Sequence, residues 1–531
     1  MDGGQALVRT LIEYGVDTAF SVPGESYLPI LRAIQNSGNA IRLITPRHES
    51  GVTFAAEAFG KLTGRPAAGF VSRGPGATNA SIGVHTASQD STPLLLFVGH
   101  VPTPTKGREA FQEIDYHQMF GKIAKAVLEP ANSAQVADVV ARAVTLTTAG
   151  RPGPVIVVMP KDITDGDAGD SAAPPLRPRA RAGMAPDDVT EAAALINSAK
   201  KPIVIAGEMI AIDDATPALV AFAEASGVAV ATAYRRQDTF PNQHAAYFGH
   251  LEINRVAFQR EAFEEADLIV AVGARLDGIS TQEFTIPRAD QKLIHIFPDR
   301  EVLARGPAEV AAAADVLPAL QALTEAVANP SAARLAWRDS LHGAFDAFAR
   351  PGSIEIHGKV DLAACVAEMQ QQAPEDAVIL CDSGTFARWV HRYYRFNRPH
   401  TQAGPMSGAM GYSVPGAIGA ALAKPHTPAI AFVGDGGFLM SGQELVTAAQ
   451  HRLNLVSQQR RYGEEGVHGT RLQSPDFAKV AEGYGLAAFR VEHTSEFGPA
   501  LKQALATDGP ALLHLVLDDR DVSPFTDEVS V

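Results

Sequence analysis

The sequence predicts an α/β protein built as three open parallel-sheet domains. Three observations carry this prediction. Short apolar runs recur with helical stretches between them, the rhythm of βαβ units whose sheet is covered on both faces. The 531 residues suffice for about three units of roughly 150 each. The rhythm breaks twice, over 165–182 and over 330–357, where periodicity is lost or only partly helical.

The first unit, 1–170, opens on an amphipathic helix at 6–14. Its apolar runs at 43–44, 68–71, 94–98 and 155–159 read as strands. Residues 165–182 are rich in Gly, Asp, Ala, Pro and Arg and read as a linker. The second unit, 187–330, has strands at 201–206, 228–232, 268–272 and 293–297, and fades into an alanine-rich helical stretch over 308–329. The third, 358–531, has strands at 377–380, 429–433 and 511–517. Ligands of such sheets bind at the carboxyl ends of the strands.

Hydrophobic residues make up 46% and charged residues 20%, as in an ordinary globular protein. The net charge is −14 and there is no basic block, which argues against nucleic acid and anionic membranes as partners. Cys365 and Cys381 are the only cysteines, so neither a disulfide framework nor a cysteine metal site is expected. No apolar run reaches the ~18 residues of a membrane span. With no signal or transit peptide ahead of the 6–14 helix, the cytoplasm is the expected location.

The strand at 429–433 runs into Gly434-Asp435-Gly436-Gly437. Ser441 and Glu444 then read as a capping box, followed by Leu445, Ala448, Ala449 and Leu453 at helical spacing. Strand, glycine turn and helix can take a phosphate, and Asp435 beside it can hold a Mg²⁺. A β-hairpin is the competing reading of Asp-Gly, opposed by the helical pattern that follows. The spacing fits neither the P-loop nor the dinucleotide fingerprint. In the first unit, Arg47-His48-Glu49 lies between a strand and a helix at 52–61. H-E-x-x-H is excluded because residue 52 is Val, and a surface carboxylate near a helix start is the plainer reading. Residues 72–79, with Gly74 and Asn79, form a tight turn that opens another helix.

Taken together and in order, R-H-E at 47–49, G-P-G-A-T-N at 74–79, Phe111-Gln112-Glu113, R-P-G-P-V at 151–155, the stretch 407–420 and G-D-G-G-F-L-M-S-G-Q-E-L at 434–445 resemble the thiamin-diphosphate-dependent enzymes, and within them the acetolactate synthase branch. The resemblance implies a pyrimidine-binding domain, a middle domain and a diphosphate-binding domain. It implies a cofactor lying between two subunits of a homodimer or homotetramer. It implies that Glu49 acts on the aminopyrimidine so that the cofactor's own amino group takes the thiazolium C2 proton. Met410 matches the apolar residue that bends the cofactor, an ordinary core methionine being the alternative. Gly74, Asn79, Gly434, Gly436 and Gly437 would frame the cofactor, and Asp435 would hold the Mg²⁺. Gln112 matches a glutamine facing the substrate-derived unit, Phe111 a wall of the acceptor pocket, and Lys125 a basic residue of that pocket.

The 71–76 turn has no histidine and the chain has no adjacent histidine pair of the pyruvate-decarboxylase kind. This tilts the reading toward carboligation of a 2-keto acid carbanion with a second carbonyl. A 2-keto-acid decarboxylase, a C–C lyase and a non-catalytic member are the alternatives. Two departures stand out. The family's Asn pair, a second Mg²⁺ ligand, has no match: its counting position falls among Arg460, Arg461 and Tyr462. No apolar strand follows Leu455, as if a block of about a dozen residues were missing before Gln458. Either a central strand is truly deleted, or residues on either side of a disordered segment have been joined, which is the preferred explanation. The middle domain's turn Ala206-Gly-Glu-Met209 has one glycine and an acid, which argues against the FAD that the resemblance implies. Arg275 would meet its diphosphate or else be a surface arginine.

Overall fold

The computed structural model describes residues 1–170, 172–177, 179–459, 474–521 and 523–525. It bears out the α/β class: the strands form three six-stranded sheets, each wholly parallel. The first contains β1 (Thr18–Ser21), β2 (Arg42–Ile44), β3 (Ala68–Ser72), β4 (Leu94–His100), β5 (Ala126–Leu128) and β6 (Pro154–Pro160) in the order β2-β1-β3-β4-β6-β5. The second contains β7 (Pro202–Ala206), β8 (Ala229–Thr232), β9 (Tyr247–His250), β10 (Leu268–Val272), β11 (Lys292–Ile296) and β12 (Val310–Ala312), ordered β12-β11-β10-β7-β8-β9. The third contains β13 (Val378–Cys381), β14 (Gln402–Ala403), β15 (Ala429–Phe432), β16 (Leu455–Gln459), β17 (Ala487–Val491) and β18 (Ala511–Leu515), ordered β14-β13-β15-β16-β18-β17. The outer two sheets thus share one winding, and the middle sheet has another.

The central strands explain why the apolar runs were legible. All seven residues of β4 and of β6 are buried, as strands covered on both faces require. The strands that the apolar pattern misses are edges, short, or partly polar. Two corrections follow. The 308–329 stretch is not helical throughout, because Val310–Ala312 pairs with β11 and the helix starts only at Val316. The chain after Leu455 does form a strand: β16 lies between β15 and β18, with Ala429 opposite Leu455 and Val456 opposite Ala511. A strand laddered on both sides does not need a long apolar run, so the central strand is present. The counting position for the Asn pair lies outside the described residues.

The helix Glu49–Thr63 is almost entirely buried after its first turn. It packs between the helix Arg73–Gln89 and the helix Ser413–Ala423, so one helix joins the first and third sheets. Glycines set these approaches. A Cβ on Gly83 would overlap Thr53, and one on Gly419 would overlap the Ala55 carbonyl.

Candidate functional site

Two groups of residues stand at strand ends. In the first, the chain leaves β2 and His48 caps the next helix, its ring Nδ1 accepting the Ser50 N–H at 3.2 Å. Glu49 is the first helical residue, as expected from an acid at a helix start. Its Oε2 accepts a hydrogen bond from Asn79 Nδ2 at 2.9 Å. Gly76 backs the same carboxylate: a Cβ there would stand 3.5 Å from Glu49 Oε1 and 3.2 Å from Val71 Cβ.

The loop carrying Phe111 and Gln112 comes down onto the start of the neighbouring helix, Arg73–Gln89, which carries Gly76 and Asn79. Gly74 N–H donates to the Gln112 carbonyl at 2.9 Å, and a Cβ on Gly74 would sit 2.8 Å from that oxygen. Gln112 has φ +64°, a conformation that costs a non-glycine residue energy and is held by its surroundings. Arg73 donates to the Phe111 carbonyl at 3.1 Å. Glu113, unassigned from sequence, ties the loop together by accepting the Gly107 and Ala110 N–H groups at 2.6 and 3.0 Å. Those bonds hold its carboxyl below the usual range. The Phe111 ring itself is 76% exposed.

The second group gathers at the end of β15. Gly434 is extended and Asp435 is the first residue of the helix Asp435–Ser441, which excludes the hairpin. The helix therefore starts seven residues earlier than the Ser441–Glu444 capping box implies, with Gly434 rather than Ser441 at the N-cap. No side-chain cap forms at Gln443, ahead of the following helix Glu444–Gln450. Asp435 is buried. Its Oδ1 accepts the Gly436 N–H at 2.9 Å and its Oδ2 accepts the Ser474 hydroxyl at 2.9 Å.

Asp382, at the end of β13, completes this group and was not singled out in the sequence. It accepts the Ser383 N–H at 2.7 Å and the Gly411 N–H at 3.0 Å. Burial pushes its carboxyl up to about 6 against the pull of these donors. A Cβ on Gly437 would stand 2.8 Å from its Oδ2. Met410 rides on the loop that Asp382 pins, between Gly408 at φ +72° and Gly411 at φ +80°. It is 40% exposed, so it is not a core methionine.

Among the described residues, no hydrogen bond or ion pair joins the Glu49 group directly to the Asp435 group. Glu444 links their supports. Its Oε1 accepts the Arg47 and His48 N–H groups at 2.9 and 3.0 Å, and Thr447 donates to its Oε2 at 2.7 Å. Burial raises its carboxyl, and these bonds oppose the rise. Lys125 stands apart from Phe111 and Gln112. Its ammonium donates to the carbonyls of Ala149 and, at 2.8 Å, Arg151. Burial lowers its pKa to about 8.

The middle sheet does not offer an FAD cradle at its first turn. Glu208 is buried there, and Arg275 Nε donates to its Oε1 at 2.9 Å. Ser91 donates to the same oxygen at 3.1 Å, and Arg275 also meets Asp277. Arg275 is therefore neither a surface residue nor a free diphosphate ligand, and a diphosphate at this turn would face a buried carboxylate. The thiamin diphosphate residues fit better. Among the described residues, Glu49 keeps one oxygen without a side-chain donor, and Asp435 stands at the start of its helix.

Comparison with known proteins agrees with this geometry. The model for the thiamine pyrophosphate enzyme N-terminal TPP binding domain matches residues 1–119, the central domain 189–323, and the C-terminal TPP binding domain 382–515. The chain is 31% identical to the acetolactate synthase large subunit of Corynebacterium glutamicum, over 99% of this chain and 88% of that protein. It is 30% identical to the acetolactate synthase isozyme 1 large subunit of Escherichia coli, over 97% and 94%. An X-ray structure described as a thiamin diphosphate-dependent enzyme isolated from Mycobacterium smegmatis superposes with a TM-score of 0.85 at 25% identity, covering 98% of this chain and all of that one. The chain belongs to the thiamin-diphosphate-dependent enzymes, in their acetolactate-synthase-like branch.

Proposed function

We propose that this enzyme decarboxylates a 2-keto acid of the pyruvate type and joins the resulting unit to a second carbonyl. The observation that carries the reading is the Glu49–Asn79 pair at 2.9 Å, set beneath the strained Gln112 loop. Thiamin diphosphate, when bound, supplies an acidic thiazolium carbon that adds to a keto carbonyl and stores the electrons released by decarboxylation. Glu49 gives and takes a proton at the aminopyrimidine, and Asn79 fixes the direction of its carboxylate. Gly74 and Gly76 keep the Gln112 loop and the Glu49 carboxylate close to the Arg73–Gln89 helix, and Met410 would support the cofactor from the loop that Asp382 pins. Gly434, Gly436 and Gly437, in the turn that opens the Asp435–Ser441 helix, would hold the diphosphate. Gln112 and Phe111 face the acceptor, while Lys125 serves the scaffold of the 149–153 loop.

Asp435, whose carboxylate Gly436 and Ser474 orient, would hold a Mg²⁺ beside the diphosphate. The Asp435→Ala variant is expected to bind thiamin diphosphate at least about tenfold more weakly and to lose the dependence of binding on Mg²⁺. Calorimetric titration with and without Mg²⁺ checks this, and unchanged binding would remove the metal role.

The shared-site homodimer, or a homotetramer of such dimers, is part of the same reading. Its support is the exposed apolar fringe of Phe111, Met410, Leu439 and Met440, which a second copy would cover. Among the described residues no helix is long and apolar enough to cross a membrane. The two buried, free cysteines suit a reducing compartment such as the cytoplasm. FAD is not part of this reading. Product analysis after incubation with pyruvate, thiamin diphosphate and Mg²⁺ is the test. Acetolactate is expected, whereas free acetaldehyde alone would replace carboligation by simple decarboxylation.

A further inference from the structure

A second cluster of chemistry-bearing side chains lies at the seam between the middle and third sheets. His250 closes β9, Glu252 follows two residues later, and His391 belongs to the helix Ala387–Tyr393. All three are more than nine-tenths buried. Glu252 Oε1 stands 3.0 Å from His250 Nε2 and 2.7 Å from His391 Nδ1. The three nearest ligand atoms all lie within 4.8 Å of one another. The two imidazole rings meet edge to face, 5.1 Å apart.

We propose that His250, Glu252 and His391 form a binding site for one zinc-class divalent cation, separate from the thiamin diphosphate site. Two imidazoles and one carboxylate are the donor set of zinc and its first-row neighbours, whereas Mg²⁺ and Ca²⁺ prefer oxygen alone. The donors come from the end of β9 and from the helix Ala387–Tyr393, so they converge through tertiary packing rather than through local sequence. Without a cation, one ring nitrogen of each histidine shares a single carboxylate oxygen of Glu252. An imidazole has two tautomers, and moving its proton to the far nitrogen turns a lone pair toward the shared centre. Tetrahedral ligands at zinc distances are about 3.3 Å apart; the two oxygen–nitrogen spacings, 3.0 and 2.7 Å, would open by a few tenths of an ångström, and all three donor atoms already lie within 4.8 Å of one another.

The cavity beside the cluster decides between coordination numbers. It has a volume of about 20 Å³ and is walled by Phe258, Phe345, Phe348, Arg388 and Arg392 along with the cluster itself. That admits one water-sized ligand. Three protein ligands and one water make a four-coordinate site. The six-coordinate iron site built on the same residue types needs three open positions, for which this cavity has no room. Arg235 spans the same seam, donating to the Cys381 and Asp382 carbonyls at 2.9 and 3.0 Å. A cation at the cluster would act as a second pin between the sheets.

The test uses the full chain, stripped with chelator and then saturated with thiamin diphosphate and Mg²⁺ so that the diphosphate site is filled. Co²⁺ is the probe. One equivalent is expected to bind with the intense visible bands of four-coordinate cobalt, and Zn²⁺ is expected to displace it. Glu252→Gln and His391→Gln are expected to lose those bands and to weaken Co²⁺ binding at least about tenfold, with circular dichroism and cofactor binding unchanged. Full-strength bands in both variants would overturn the proposal. So would weak six-coordinate bands alone, which mark surface binding. Should neither variant fold, the wild-type arm decides: failure to take up one equivalent of Co²⁺ under saturating Mg²⁺ overturns the site.

Discussion

Glu49→Gln is expected to lower turnover by about 10²–10⁴-fold while leaving the fold intact. The amide keeps an oxygen for Asn79 Nδ2 but can neither lose nor carry the proton that the aminopyrimidine exchanges. Glu49 is only partly buried and sits at the first position of its helix, so removing its charge costs a few tenths of a kcal/mol of helix-end electrostatics. The effect should therefore appear in the exchange of the thiazolium C2 proton for deuterium, followed by NMR, with cofactor affinity nearly unchanged. Exchange at the wild-type rate would sink the assignment. The same variant tests the shared site. Mixed with Asp435→Ala, it should form heterodimers in which one site draws both good residues from different chains. Random mixing restores activity to about one quarter of the sites. No recovery on mixing two folded, inactive variants would mean that each chain builds its own site.

Lys61→Met is expected to cost about 3–5 kcal/mol of stability. The Lys61 ammonium is buried on the Glu49–Thr63 helix, in ion pairs with Glu57 at 3.2 Å and with Asp90, and donates to the Gly404 carbonyl at 2.7 Å. Tyr412 donates to Glu57 at 2.6 Å and Met406 N–H to Asp90 at 2.9 Å. One ammonium thus pairs with two buried carboxylates and ties the first sheet's helix to the third domain through the Gly404 carbonyl. Removing it strands both charges in a medium that already raises the Glu57 carboxyl by desolvation. A carboxyl raised in the folded state contributes stability below its unfolded pKa and loses it as pH rises. The deficit of the variant should therefore be largest at neutral pH and shrink as pH falls toward the ordinary carboxylate range. Denaturant melts at several pH values measure this. A variant within about 1 kcal/mol of wild type at pH 7 would mean that the cluster relaxes or admits water.

The parts of the fold and site that were legible in the sequence are those whose signal is local. The buried runs of β4, β6, β10 and β15 are continuous and apolar. The turns at 47–49 and 434–437 each place an acid between a strand and a helix. What escaped was fixed by distance in the chain. Glu444 acts 397 residues away from Arg47, and nothing near it suggests that its partners are the backbone of another sheet's turn. Asp382 had a usable signal, an acid followed by Ser-Gly just past the strand read at 377–380, where α/β sheets place their sites. β16 was missed because only its first two residues are apolar, and a laddered strand needs no more. Glu208 was noticed as an anomaly in a glycine turn, but its buried pairing with Arg275 only the structure reveals.

The grip of Gly83 and Gly419 on the Glu49 helix has a consequence for how this enzyme can change. With a methyl group excluded from both flanks, the helix cannot be shimmed outward by gradual side-chain growth, so the acid's position is effectively frozen against mutational drift. The Phe111–Gln112 loop is different: the Phe111 ring is not packed within its own chain, and the loop is held by a few hydrogen bonds to its backbone atoms. Altered substrate choice, whether by natural divergence or in the laboratory, should therefore accumulate on that loop and leave the helix untouched.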